Sequence, residues 1–347
     1  MLQLRTFLLL ILGPVLAILL PALVLERSRD YWELMRSWET GTSSSVEAEI
    51  RLADPATVQR VVIGSSVALT DLDERQLDRL LGDPEGSTLN LGIKGVSLAT
   101  STMLTPEVVD LTPSTVLFVV HTSVLNEMRG EGSAAGARQR GVPPSTVYDS
   151  SVARQVCTNR SFATDRAYHL AGALGSANLL VRHRLDLRYL ASRYLLHRGR
   201  LPTRHHPRSI RRLREKALQA DIEAARAPLK LSQDGSASRA LRYASSALSS
   251  EGIRLVVIPA PDHPGVRGTT YPTEFTDHLV ELQRLVEFDL MPVSAFPMFR
   301  DPDFNDHHHM GASGCLGFTT SVADYLARAP GELPSAGDQG PEPASAD

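Results

Sequence analysis

Val61-Val62-Ile63-Gly64-Ser65-Ser66 is a short apolar run, rich in β-branched residues, that stops at a glycine and is followed by two serines. An apolar run bounded in this way suits a strand buried on both faces, as in a parallel sheet. The pattern extends outward from there. Residues 73–81 have helical spacing, 88–91 read as a second strand, 97–111 as a second helix, and 116–120 as a third strand. After a long interval the alternation resumes, with strands at 253–258 and 289–293, a helix at 274–288 between them, and a closing helix at 314–329. Strands alternating with helices predict an α/β fold, a parallel sheet with helices on both faces joined by right-handed crossovers. In such sheets reactive groups collect at the carboxyl ends of the strands, and the two serines directly follow the first one.

The bulk properties set bounds. A chain of 347 residues has ample length for a core, and 42% apolar and 22% charged residues are ordinary for a globular protein. A net charge of −3 does not by itself select a class of partner. Two cysteines, Cys157 and Cys315, argue against a disulfide framework or a thiolate metal site. They are compatible with one bridge in an oxidising compartment or with two free thiols.

The N-terminus speaks about location. Thr6 to Leu25 carries no charged residue, and ~20 apolar residues are enough to cross a bilayer as a helix. The run exceeds the usual ~7–15 residues of a signal-peptide core and ends in a poor cleavage site, so an uncleaved anchor over residues 1–30 is expected. Its short N-terminal tail favours a single-pass arrangement with the body in the periplasm or outside the cell. Residues 31–54 read as a juxtamembrane helix and a polar linker, and the body is expected to start near Pro55 and run to 329. The tail at 330–347, rich in Pro, Gly, Ala and acidic residues, is expected to be disordered.

Residues 129–250 break the alternation and read as an insertion. Its first part is rich in Gly, Ser and Pro, and 153–218 is helical in pattern and strongly basic, with twelve cations from Arg182 to Lys216. Solvated arginines on a helical insertion are one reading. A surface that meets anionic headgroups or an acidic polymer is the other. Nucleic acid is not an expected partner of an exported domain.

Near the C-terminus stands Asn305-Asp306-His307-His308-His309-Met310. An Asp three residues before a His lets one short turn supply a general base and the carboxylate that orients it. Three motifs now occur in order, and the chain resembles the SGNH (GDSL-like) hydrolases over about residues 58–128 and 250–328. Gly64-Ser65-Ser66 matches the first block and places Ser66 at the nucleophile, with Ser65 the alternative register and a plain helix cap the alternative role. Asn90-Leu91-Gly92-Ile93-Lys94-Gly95 matches the second, making the N–H of Gly95, with that of Ser66, an oxyanion-hole donor. Asp306-His307-His308-His309 matches the last, with Asp306 as orienting carboxylate and His309 as base.

The resemblance implies a flavodoxin-like sheet of SGNH type and an acyl-Ser66 intermediate with no cofactor. The third block departs from the family, since Ser123 stands where an Asn amide is usual and Asn126 follows three residues later; either could supply a donor. This departure and the N-terminal span are similar to membrane-anchored relatives that acylate cell-surface polymers. The implied activity is therefore esterase or O-acyltransferase chemistry on a surface glycan or lipid, alongside a multispanning acyltransferase. The alternative is an inactive accessory protein that binds glycan. Ser65 and His263 are candidates for substrate contact, His263 having a plain loop role as its alternative. A metal is not expected, because consecutive histidine side chains should point apart.

Overall fold

The computed structural model describes residues 20–38, 42–125, 152, 155–156, 183, 187, 212–226 and 228–328. The β-branched runs form a five-stranded, all-parallel sheet of β1 (Arg60–Gly64), β2 (Thr88–Asn90), β3 (Thr115–Val120), β4 (Arg254–Pro259) and β5 (Asp289–Leu290). Their order is β2-β1-β3-β4-β5. Helices α1 (Arg29–Trp38) and α2 (Ser43–Leu52) precede the sheet, and α3 (Ser66–Asp71) and α4 (Glu74–Leu81) join β1 to β2. Then come α5 (Leu98–Thr102), α6 (Thr105–Asp110) and, after β3, α7 (Thr122–Leu125). Helices α8 (Glu215–Ala225) and α9 (Ser236–Ser250) lead to β4, and α10 (Pro264–Arg267) and α11 (Thr273–Leu285) to β5. Helix α12 (Ala312–Ala327) closes the body, starting two residues before Gly314.

The three central strands β1, β3 and β4 are buried on both faces, which is why their sequences are mostly apolar, whereas the edge strands β2 and β5 are short and partly exposed. Val61, Ile63, Val116, Phe118, Leu255 and Val257 face a core closed by α5, α6, α9 and α11. Val62, Leu117, Val119, Val256 and Ile258 face the other core, where Val67, Ala68, Leu77, Phe318 and Val322 of α3, α4 and α12 cover them. The strand alternation places a reversal of connection beside β1: its partners are β2 on one side and β3 on the other. Such a reversal opens a crevice at the carboxyl ends of the strands.

Several expectations are revised. The helix expected over 97–111 is two, α5 and α6, with Pro106 in the first turn of α6. Proline has no N–H to bond back to the preceding turn, so one continuous helix cannot form there. The fifth strand stops at Leu290, with one further bond from the Met291 N–H to the Val257 carbonyl at 3.0 Å, and a 3-10 turn follows Pro292 at Val293–Ala295. Residues 42–45 are not linker. Thr42 caps α2 by accepting from the Ser45 N–H, Ser45 Oγ returns the bond, and Val46 packs into the core with Val58 and Val61. The body therefore begins before Pro55.

The insertion also ends earlier than 250. Helix α9 buries Ala237, Ala240, Leu241, Ala244 and Leu248 against the sheet, at the spacing of one helical face. It is the crossover helix into β4 rather than an appendage.

No helix among the described residues is long and apolar enough to cross a membrane. The expected span falls mainly on residues 1–19, which lie outside the described residues, as do most of 129–211, Asn126, Cys157 and 329–347. Cys315 is a free thiol.

Candidate active site

The turn after β1 is set by close packing. Gly64 has φ 152°, and a Cβ there would lie 2.7 Å from the Val119 carbonyl oxygen and 2.7 Å from the Ala68 Cβ. A Cβ on Gly92 would lie 2.6 Å from the Leu69 backbone nitrogen. Only glycine lets β1, β3 and the loop after β2 crowd this near to α3. Ser65 is the cap of α3: its buried Oγ accepts from the Val67 N–H at 3.4 Å. Ser66 is the first residue of the helix and is partly exposed, so the two serines divide the roles of cap and outward-facing hydroxyl.

The second half of the site is the loop from Phe304 to Met310. A single antiparallel bridge between those two residues closes it, and the Asn305 N–H bonds the His309 carbonyl at 2.7 Å. Inside the loop Asp306 Oδ1 accepts from the backbone N–H of His308 at 2.9 Å and of His309 at 2.8 Å. Its Oδ2 accepts from His309 Nδ1 at 2.7 Å, and His309 Nε2 accepts from Ser66 Oγ at 2.8 Å. An ionised carboxylate can only accept, so this partner dictates the Nδ1–H tautomer and leaves the Nε2 lone pair facing the serine.

Burial acts to raise the Asp306 carboxyl, but the hydrogen bond and charge of His309 and the two backbone N–H groups outweigh it and hold the group below the usual carboxylate range. An unbroken Ser–His–Asp chain of this kind can take the serine proton and stabilise the imidazolium that results.

The expected oxyanion donors fall into two groups. Among the described residues, neither the Ser66 nor the Gly95 backbone N–H donates a hydrogen bond, and Gly95 sits exposed at φ 70°. Both amides are thus without a hydrogen-bond acceptor among the described residues. Ser123 is differently placed: its Oγ is engaged with the His121 ring, 3.0 Å from Nδ1. His263 does not offer a ring nitrogen to substrate. Its Nδ1 accepts from the Gly265 N–H at 2.9 Å, Nε2 lies 2.5 Å from Asp301 Oδ1, and the ring is 4% exposed. The loop role is the one that fits, because its backbone N–H also holds the His307 carbonyl at 3.0 Å.

Other residues that position the site have no sequence signal. Asp71, fully buried at the end of the serine's own helix, accepts from the Met310 N–H at 3.1 Å and from Thr70 Oγ1 at 2.7 Å. Burial pushes its carboxyl up to about 7 against the lowering effect of the His309 charge, and its Oδ2 is without a hydrogen-bond partner. The nucleophile helix and the base loop are therefore tied together through one side chain. Arg212, at the end of the basic segment, donates to the carbonyls of Asp301 and Phe304 at 3.0 and 2.8 Å, and Leu213 N–H to that of Asn305 at 2.8 Å.

The three histidines do not point apart as expected. His307 Nε2 and His308 Nδ1 are 2.6 Å apart, and the centroids of His308 and His309 are 3.9 Å apart. Asp221 of α8 draws the first ring over: its Oδ2 accepts from the His307 backbone N–H at 3.0 Å and from Nδ1 at 2.6 Å.

A groove of about 870 Å³ is lined by Leu69, Thr70, Asn90, Met310, Gly311 and Cys315 among others, but not by Ser66 or His309. No protein-family model matches this chain, and no curated protein does either.

Proposed function

We propose that the chain is a membrane-anchored serine esterase or O-acyltransferase of SGNH type, acting on acyl esters of a cell-surface glycan or lipid. The observation that carries this reading is the continuous hydrogen-bonded chain from Ser66 through His309 to Asp306 at the carboxyl end of the sheet. The strand order is that of flavodoxin-like folds, which supports the SGNH assignment.

In this reading His309 Nε2 takes the proton of Ser66 Oγ as the oxygen attacks the acyl carbonyl. The carbonyl electrons move onto oxygen, where the N–H groups of Ser66 and Gly95 receive the charge; such a donor is worth ~2.7–4 kcal/mol in known enzymes. Collapse expels the alcohol, which takes the proton from His309 and leaves acyl-Ser66. Water or an acceptor alcohol then repeats the sequence. Asp306, held as an anion, stabilises the imidazolium in both halves. The apolar N-terminal run and the basic segment support a substrate at the membrane surface, with a multispanning acyltransferase as partner.

A second reading, an inactive accessory protein that binds glycan, is favoured by one observation: the third-block hydroxyl of Ser123 is engaged with His121. A fluorophosphonate probe separates the two. Labelling of the wild type that disappears in Ser66→Ala supports the enzyme, and absence of labelling supports the accessory. Labelling that survives Ser66→Ala but disappears in Ser65→Ala would move the nucleophile by one residue.

A further inference from the structure

The geometry points to a divalent transition-metal site formed by Asp306, His307 and His308 beside the serine chain. One oxygen and two ring nitrogens of these residues lie within 4.8 Å of one another. His307 Nε2 and His308 Nδ1 are 2.6 Å apart, and His308 Nδ1 is 3.8 Å from Asp306 Oδ1. Ligand atoms around a tetrahedral Zn²⁺ with bonds of ~2.0–2.1 Å stand roughly 3.3 Å apart. The two rings therefore need to part by less than ~1 Å to admit the ion.

Two neighbours make this more than a chance cluster. Asp221 binds the far side of His307, accepting from Nδ1 at 2.6 Å, which fixes the tautomer with the Nε2 lone pair turned toward His308. A carboxylate behind the imidazole is the outer arrangement that metal-ligating histidines usually have. The His121 ring lies parallel to His308, with centroids 5.0 Å apart and 3° between planes, and limits the swing of that ring. His308 needs only to carry its proton on Nε2 to present Nδ1 as a ligand. Two imidazoles and one carboxylate suit Zn²⁺ and neighbouring late first-row ions rather than Mg²⁺ or Ca²⁺. Three ligands from one short loop leave a coordination position open.

The consequence for turnover rests on the proposed serine chemistry. Asp306 offers Oδ2 to His309 and would offer Oδ1 to the ion. A dication there shares the charge that stabilises the His309 imidazolium, so bound Zn²⁺ slows acyl transfer.

The test uses the full chain in detergent, purified without a histidine tag and freed of metal by a chelator. Calorimetric titration with Zn²⁺ should show a single strong site, and Co²⁺ should give a tetrahedral visible spectrum. Both should be lost in the His307→Gln/His308→Gln double variant and kept in Ser66→Ala. Asp221→Asn should weaken Zn²⁺ by ~10–100-fold. In parallel, Zn²⁺ should inhibit aryl-ester hydrolysis by the wild type, whereas the rate of the double variant, compared with its own metal-free rate, should not respond to Zn²⁺. No Zn²⁺ binding by the wild type, or equal binding by the double variant, overturns the site. Binding in the expected pattern without inhibition overturns the inhibitory role alone. Binding in the expected pattern with no hydrolysis by any form leaves the metal site standing and removes the serine reading.

Discussion

Ser66 stands on a turn packed so closely that Gly64 and Gly92 have no room for a Cβ, whereas His309 stands on a loop held largely by polar contacts. The loop's bonds come from Asp71, Arg212 with Leu213, Asp221 and His263, on four separate parts of the chain. Steric placement of a nucleophile depends on neighbours that the local fold guarantees. Polar placement of a base depends on many partners, each of modest worth, and it can be loosened one bond at a time. Changes at the turn should therefore act on folding, and changes around the loop should act on turnover or on its pH response.

The largest effect is expected inside the loop. Asp306→Asn keeps the shape but removes the charge and permits the wrong His309 tautomer. Hydrolysis of an aryl ester should fall by ~10⁴-fold, as in known triads, with little change in melting temperature. A loss of less than tenfold would mean that His309 does not depend on its carboxylate.

The turn is challenged by Gly64→Ala. The new methyl meets the Val119 carbonyl and Ala68 at 2.7 Å, in a backbone region that L residues rarely adopt. Strain of this kind should cost ~3 kcal/mol or more, read as a lower urea midpoint. An unchanged midpoint would show that the turn has slack, and the contrast with the loop would collapse.

Asp71 joins the two regions, and its pH response sharpens the contrast. Its carboxyl is raised from 3.8 to about 7 in the folded protein. Between those values the folded state keeps a proton that the unfolded chain has released, so stability falls as the pH rises and levels off above about 7. A rise of that size is worth at most ~4 kcal/mol. Asp71→Asn stays neutral and keeps an acceptor for the Met310 N–H. Its melting temperature relative to the wild type should accordingly be higher by several degrees more at pH 8 than at pH 5. Parallel pH profiles for the two proteins would contradict this account.

Arg212→Ala should have the smallest effect on stability. The side chain is 38% exposed, so solvent screening leaves its bonds to the Asp301 and Phe304 carbonyls worth under ~1 kcal/mol. Loosening of the loop should appear instead as a several-fold loss of turnover at constant affinity for the probe ester. A large drop in melting temperature with full activity would reverse that order.

The legibility of these parts follows the same division. The central strands β1, β3 and β4 are legible because burial on both faces demands continuous apolar residues, and every strand lies within one or two residues of its expected ends except β5, which stops at Leu290. The break within 97–111 is not legible from periodicity, because the spacing is helical on either side of Pro106, which interrupts the backbone ladder. Thr42–Ser45 reads equally as linker or cap, because serines favour both, and only the packing of Val46 distinguishes the two. Helix α9 was hidden because small residues, Ala and Ser, make up most of its buried face.

What the amino-acid order determined by itself was local: where strands and helices run, which serine follows the first strand, and that Asp306 and His309 share a turn. These rest on periodicity and on contacts within a few residues. Only the tertiary structure brought Ser66 to His309 across 243 positions, Asp71 to Met310 across 239, and Asp221 to His307 across 86. A hydrogen bond between distant residues leaves no repeating mark on the sequence, since either partner alone is an ordinary polar residue. It was also tertiary contact, the pull of Asp221 on His307, that turned three histidines expected to diverge into a converging cluster.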